Sequence, residues 1–191
     1  MDLIERWLDA GNSIVIAPGW QDSGPEHWQT QWGSEYPRFG RVQQRDWQEP
    51  VASDWVRGLG EAVAAASGKV IVVAHSLGCV TTGHWAALSR LRDKVAGALL
   101  VAPADVARED APSSFGSFLP LPIARLPFPS LLVASDNDHA CSLDRATTLA
   151  EVWGSQLHTL EGAGHINVDS GHGEWPEGLK LLRQLLRRVP L

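Results

Sequence analysis

Cysteine is scarce in this chain of 191 residues, which contains only Cys79 and Cys141. Two cysteines are too few for a disulfide framework, and neither lies in a C-x-x-C pair or at the spacing of zinc ligands. A reducing compartment is therefore the simpler expectation. The seven histidines form no E-x-x-H or H-E-x-x-H frame, so we expect neither a metal site nor another cofactor.

An excess of positive charge is also missing. The chain has 22 acidic and 16 basic residues, a net charge of −6, and its basic residues are scattered apart from a small cluster at Arg183, Arg187 and Arg188. Proteins that bind nucleic acid usually carry a basic patch, so nucleic acid is not an expected partner.

Long apolar segments are absent as well. No uncharged apolar run approaches the roughly 20 residues that span a bilayer, and the first residues lack the basic and apolar regions of a signal peptide. We therefore expect a cytoplasmic protein with no membrane partner.

The composition is otherwise that of an ordinary globular protein, with 44% hydrophobic and 20% charged residues. A chain of this length can bury roughly 70% of the surface that it exposes when unfolded. With no internal repeat and no linker, the sequence predicts a single domain over residues 1–191.

Short apolar runs alternate with segments of helical spacing. Continuous runs typical of buried parallel strands lie at 14–17, 70–74, 98–102 and 131–134, with a weaker candidate at 156–160. Apolar residues recur every three or four positions at 56–63, 146–153 and 179–189. This alternation predicts an α/β fold whose mostly parallel sheet is covered by helices on both faces.

The most informative segment, 70–79, has the sequence V-I-V-V-A-H-S-L-G-C. A strand that runs through A-H-S-L-G into a helix is the arrangement of the nucleophile elbow, in which G-x-S-x-G holds a serine above the carboxyl end of the sheet. Ala74 stands at the first glycine position. The sequence therefore predicts an α/β-hydrolase fold with Ser76 as the nucleophile.

A serine nucleophile needs a base, and the base needs an acid that fixes its tautomer. In this fold the acid and then the histidine follow the serine along the chain. His165 is the predicted base because Gly162 and Gly164 allow the backbone to bend there. Asp138 is the predicted acid on its spacing, and Asp136 is the alternative, with turn formation as its other explanation.

Two backbone N–H groups usually stabilise the oxyanion formed in acyl transfer. We expect them to belong to Leu77, which follows the nucleophile, and to Trp20, in the loop after the first strand. His75 is not an expected base because it directly precedes the serine. Residues 103–129 contain six prolines, which favour an irregular loop, and we expect this loop to form one wall of the site.

Five motifs together resemble the small serine hydrolases grouped with the retinoblastoma-binding-protein-nine and YdeN-type proteins. They are P-G-W-x-x-S-x-x-x-H-W at 18–28, H-S-L-G-C at 75–79, L-P-F-P-S at 126–130, A-G-H-I-N at 163–167 and S-G-x-G-x-W-P at 170–176. The resemblance implies an α/β-hydrolase core without a large cap domain, and a triad that matches Ser76, Asp138 and His165. The L-x-C-x-E motif for retinoblastoma binding is absent, since residues 77–81 read L-G-C-V-T, so that partner is not expected.

The sequence thus favours hydrolysis of a small carboxylic ester, or of an amide by the same acyl-enzyme chemistry. The alternative is a binding or regulatory module on a hydrolase scaffold with little turnover. Because the only long insertion, 103–129, carries several charged residues, which are poor lining for a lipid tunnel, we expect short acyl chains to be preferred.

Overall fold

Six strands form one fully parallel sheet in the computed structural model, which describes residues 2–190. The strands are β1 (Ser13–Ala17), β2 (Gly40–Arg41), β3 (Val70–His75), β4 (Val95–Val101), β5 (Ser130–Ser135) and β6 (Gln156–Leu160). Their spatial order is β2-β1-β3-β4-β5-β6. Every residue of β3 and β5 is buried, as expected for parallel strands that are covered on both faces.

Six helices cover the two faces of this sheet. They are α1 (Leu3–Asp9), α2 (Trp28–Glu35), α3 (Ala52–Ala65), α4 (Leu77–Leu88), α5 (Leu143–Trp153) and α6 (Pro176–Leu186). Side chains alternate between the faces of a strand. Ile71 and Val73 therefore pack with α1, α2 and α6, whereas Val72 and Ala74 pack with α3, α4 and α5.

The predicted fold class is confirmed, with a sheet that is wholly rather than mostly parallel among residues 2–190. Each of the five predicted strands is present, four of them within one residue of their expected limits, whereas β4 begins three residues before the predicted start at 98. Strand β2 and helices α1 and α2 are additional to the prediction. In residues 103–129 the one helical element is the 3₁₀ helix Ser113–Phe118, in agreement with the predicted irregular loop and the absence of a large cap. No helix of the described part is long and apolar enough to cross a membrane.

The strand order creates a crevice at the carboxyl ends of the strands, between β1 and β3. From β1 the chain passes to β2 on one side, and β3 then lies on the other side of β1. In open parallel sheets, ligands bind outside the carboxyl ends of the strands at such a switch point. The loop after β1 and the turn after β3 meet here.

Candidate active site

Ser76 lies in a strained turn between β3 and α4. Its backbone has φ 54° and ψ −120°, a conformation that costs free energy for any residue with a side chain and is found mainly at functional sites. Glycine at position 78 allows the start of α4 to approach the end of β1 closely, because a Cβ atom there would lie 2.3 Å from the carbonyl oxygen of Ala17. The turn therefore has the geometry of the predicted nucleophile elbow.

The structure brings the three predicted catalytic side chains into one hydrogen-bonded row. His165 Nε2 lies 2.9 Å from Ser76 Oγ, and His165 Nδ1 lies 3.0 and 2.9 Å from the two carboxylate oxygens of Asp138. A carboxylate only accepts hydrogen bonds, so Nδ1 carries the proton and Nε2 is free to accept the serine hydroxyl proton.

Asp138 is held in place by the backbone that follows it. Its Oδ1 atom accepts a hydrogen bond from the N–H of Ala140 at 2.8 Å, and only 2% of its side chain is exposed. Asp136, the alternative acid, does not contact His165. Its Oδ1 atom accepts from the N–H of Gly162 at 2.8 Å, which is the backbone role that its turn position suggested.

Three consecutive side chains, at the last residue of β5 and the two residues after it, bind the loop that carries His165. Asp136, Ser135 and Asn137 accept hydrogen bonds from the backbone N–H groups of residues 162, 163 and 164, at 2.8, 2.9 and 2.7 Å respectively. We refer to residues 135–137 as the latch. Gly162 and Gly164 have positive φ values of 64° and 56°, which glycine adopts without strain. The latch thus ties the loop of the predicted base to the loop of the predicted acid.

A cavity of about 360 Å³ opens beside Ser76. The predicted loop contributes one wall of it, and the lining residues are Trp20, Gln21, Asp22, His27, His75, Ser76, Ala104, Arg108, Phe115, His139, Ala140, His165 and Asn167. The ring of Trp20 packs edge-on against Phe115 at 5.5 Å. Trp28 and Trp32, by contrast, are buried in the core. The sequence analysis assigned no role to Arg108 or to Asn167, although Asn167 ends the A-G-H-I-N motif at 163–167.

The two predicted oxyanion donors lie on neighbouring segments. Leu77 begins α4, and the first N–H groups of a helix have no partner within that helix. Trp20 follows Gly19, where a Cβ atom would lie 2.8 Å from Ser76 Cβ and 3.4 Å from the nitrogen of Leu77. The loop after β1 and the elbow therefore approach each other as oxyanion donors require.

His75 and His139 have rings close to that of His165, and His27 lies next to His75. His75 Nε2 donates to the carbonyl oxygen of His165 at 2.9 Å, and the rings of His75 and His165 are 4.9 Å apart. The ring of His27 lies 4.9 Å from that of His75. Burial lowers the pKa of His75 well below its usual value, and burial together with the charge of Arg41 lowers the pKa of His27 to about 4. Both rings are therefore neutral at pH 7.

The described residues contain no group of three or more potential metal ligands. Both cysteines are buried and free, and burial raises the pKa of each thiol, that of Cys141 to about 12. Because the thiolate is the reactive form, neither buried cysteine is a candidate nucleophile.

A family model described as serine hydrolase matches residues 14–184. The chain belongs to the serine hydrolase family. Its structure is similar to a YdeN-like hydrolase from Pectobacterium atrosepticum, with a TM-score of 0.86, 31% identity and coverage of 98% of this chain and 99% of the other. This family is the YdeN-type group that the motifs resemble, and the protein is a serine hydrolase.

More distant structures share the fold. The ydeN product of Bacillus subtilis has a TM-score of 0.73, 17% identity and coverage of 92% and 99%. An esterase from Rhodococcus sp. ECU1013 has a TM-score of 0.67, 18% identity and coverage of 95% and 92%. No protein with a curated description shows significant sequence similarity to the chain.

Proposed function

We propose that this serine hydrolase cleaves small carboxylic esters through an acyl-enzyme intermediate, with Ser76 as nucleophile, His165 as general base and Asp138 as the orienting acid. The single observation that carries the proposal is the continuous hydrogen-bonded row from Ser76 Oγ through His165 to Asp138. A serine at a strained elbow without such a row would be an ordinary, unreactive alcohol.

In the first step, Ser76 Oγ attacks the ester carbonyl carbon while His165 Nε2 takes the hydroxyl proton. The imidazolium that forms is stabilised by Asp138, whose carboxylate stays ionised. The negative charge on the carbonyl oxygen is stabilised by the N–H groups of Leu77 and Trp20. The intermediate then collapses, and His165 gives its proton to the departing alcohol.

In the second step, water attacks the acyl group on Ser76, and His165 Nε2 takes the proton of that water. The same two N–H groups stabilise the second oxyanion. Collapse releases the carboxylic acid, and the proton returns to Ser76 Oγ. The enzyme needs no metal for either step, since the buried row supplies both the base and the charge that stabilises it.

A small substrate fits the size of the cavity. Its 360 Å³ lie near the lower end of the usual range for ligand pockets. The similar structure from Rhodococcus is an esterase, which supports an ester over an amide. The short acyl preference follows from the loop at 103–129, which brings the charged side chain of Arg108 into the wall.

Steady-state hydrolysis of p-nitrophenyl acetate and butyrate tests the proposal. The purified protein should release p-nitrophenol with saturation kinetics, and Ser76→Ala should reduce kcat by roughly 10³-fold or more. Release at equal rates by the protein and by Ser76→Ala would contradict the proposal.

A further inference from the structure

Arg108 brings a positive charge into the wall of the cavity beside Ser76. Its side chain is 21% exposed, so part of it remains open to a ligand. Apart from the histidines, Asp22 is the other ionisable residue among those that line this cavity. The Oδ1 atom of Asp22 accepts hydrogen bonds from Arg41 at 2.6 Å and from the N–H of Ser23 at 2.7 Å. The negative charge in the wall is therefore already paired.

The guanidinium of Arg108 is held by the protein at two of its nitrogens. Its Nη1 atom donates to the carbonyl oxygens of Asp105 at 3.1 Å and Ala140 at 3.5 Å. Its Nε atom is buried and lies 3.0 Å from the carboxylate of Asp110. The Nη2 atom makes no hydrogen bond with any residue in the range 2–190 and, unlike Nε, is not fully buried. The N–H groups of Nη2 are therefore accessible donors on a fixed guanidinium.

Ala140 connects this guanidinium to the hydrogen-bonded row of the proposed triad. The N–H of Ala140 donates to Asp138 Oδ1 at 2.8 Å, while its carbonyl oxygen accepts from Arg108. His139, between the two, is exposed, and its ring lies 5.4 Å from that of His165. His139, Ala140 and Arg108 all line the cavity. A substituent of an ester bound at the row therefore lies in the same small space as the guanidinium.

The ion pair with Asp110 leaves Arg108 able to bind a second carboxylate. The side chain of Asp110 is 83% exposed, and water competes for the partners of so exposed an ion pair, which makes the pair weak. A carboxylate inside the cavity is less screened by water and interacts more strongly with the same guanidinium. The planar guanidinium also matches a carboxylate in geometry, and hydrogen bonds between the two are charge-assisted.

We propose that Arg108 binds a carboxylate group of the substrate through its accessible guanidinium N–H groups. The site then prefers esters that carry a carboxylate in the acyl or the alcohol portion, such as the half esters of short dicarboxylic acids. This inference rests on the proposed ester hydrolysis at Ser76 and adds a substrate class to it.

Arg108→Gln removes the charge of this side chain and keeps it polar. The two carbonyl groups that Arg108 Nη1 contacts retain backbone donors, since Asp105 accepts from the N–H of residue 108 at 3.4 Å and Ala140 accepts from the N–H of Asp105 at 3.0 Å. We therefore expect the variant to fold. Arg108→Lys keeps the charge. Arg145→Gln is a matched control, because Arg145 pairs with Asp105 at 3.3 Å and does not line the cavity.

The substrates form matched pairs in which a methyl ketone replaces a carboxylate of nearly the same shape. On the acyl side, monoethyl succinate is compared with ethyl 4-oxopentanoate, and on the alcohol side 4-acetoxybutanoate is compared with 5-acetoxypentan-2-one. The measured quantity is the ratio of kcat/KM for the anionic ester to that for its neutral partner, with the products quantified by liquid chromatography. Dividing the native ratio by the variant ratio cancels the intrinsic reactivity of each ester.

We expect the native protein to favour the anionic ester in at least one pair, and Arg108→Gln to lower that ratio roughly 10- to 100-fold, as the loss of a hydrogen bond between charged groups does. Arg108→Lys should recover part of the loss, because it restores the charge without the guanidinium geometry. Arg145→Gln should change the ratio less than about 3-fold, since salt screens a more distant charge. If Arg108 only holds its loop, Arg108→Gln lowers kcat/KM equally for both esters of each pair, the ratios keep their native values, and the inference is wrong.

Fluorophosphonate labelling separates the failure of this inference from the failure of the proposed function. Labelling of Ser76 in the native protein and in Arg108→Gln, with unchanged ratios in both pairs, overturns the role of Arg108 alone. Absence of labelling at Ser76 in the native protein overturns both.

Discussion

The substitution Asp138→Asn tests the proposed row at its buried end. The N–H of Ala140 donates to Oδ1 of Asp138 at 2.8 Å, so the oxygen of an introduced amide is drawn to that position. The amide NH₂ then occupies the place of Oδ2, 2.9 Å from His165 Nδ1. A donor there opposes a proton on Nδ1 and favours the tautomer with the proton on Nε2, which blocks proton transfer from Ser76, although the amide oxygen 3.0 Å from Nδ1 still offers a competing acceptor.

The expected loss follows from this wrong tautomer. An equivalent change in a serine protease triad lowers kcat by about 10⁴-fold, and we expect roughly 10³- to 10⁴-fold here. At about 1.4 kcal/mol for each factor of ten, the transition state loses about 4 to 5.5 kcal/mol of stabilisation. The assay is steady-state hydrolysis of p-nitrophenyl acetate, with the melting temperature measured to show that the variant is folded.

Asp136→Asn is the matched control, because an amide oxygen can still accept from the N–H of Gly162 as Asp136 Oδ1 does. It should lower kcat less than 10-fold, the size of effect expected when a hydrogen bond is weakened but kept. A larger loss of kcat in Asp136→Asn than in Asp138→Asn would assign the role of the orienting acid to Asp136 in place of Asp138.

The remaining predictions concern the elbow, the latch, histidine burial and acyl length. Gly78→Ala should lower the free energy of unfolding by about 1 to 3 kcal/mol in urea denaturation, because its Cβ atom would meet the carbonyl oxygen of Ala17 at 2.3 Å. Asn137→Ala should lower kcat roughly 10-fold through a misplaced His165 loop, with partial recovery in Asn137→Asp, which keeps the acceptor for Gly164 N–H. In urea denaturation, the free energy of unfolding should decrease as the pH is lowered from 6.5 to about 4, because in this range His27 is protonated in the unfolded chain and neutral in the folded protein. His27→Asn should reduce that slope by up to about 1.4 kcal/mol per pH unit. The kcat/KM for p-nitrophenyl palmitate should be below that for the butyrate, given the cavity of 360 Å³.

Each of these has an opposing result. A fully stable Gly78→Ala, or equal kcat in Asn137→Ala and the native protein, would show that the close approach or the latch is dispensable. An unchanged pH slope in His27→Asn would show that His27 titrates normally in the folded protein. Faster turnover of palmitate would show that the loop at 103–129 forms a deeper channel than the cavity indicates.

The candidate site was predictable to the extent that local backbone geometry dictates residue type. The elbow needs glycine at position 78, because a Cβ atom there would lie 2.3 Å from the carbonyl oxygen of Ala17. The motif around Ser76 can therefore be recognised in the sequence. Gly162 and Gly164, before His165, can also be recognised, because both have positive φ values, which favour glycine. The positive φ values are a local property of the backbone, and position 78 belongs to a short motif even though Ala17, which its Cβ atom would meet, is distant in the sequence.

The parts that escaped prediction depend on contacts between distant segments. Strand β2 has only two residues, Gly40 and Arg41, and shows no periodicity before it pairs with β1. The latch exists because β5 and β6 are neighbours in register, with Ser135 beside Leu160. The sequence does not distinguish His27 from the other histidines, because the burial of its Nε2 atom without a hydrogen-bond partner is visible only in the structure.

We propose that, among the described serines, Ser76 alone has both a base and oxyanion donors beside it. Labelling with a fluorophosphonate, followed by peptide mass spectrometry, tests it most directly, because the reagent bonds only to an activated hydroxyl. We expect one modified residue, Ser76, and no modification in Ser76→Ala or after acid unfolding. Modification of Ser23 or Ser135 in place of Ser76, or of no serine at all, would contradict it.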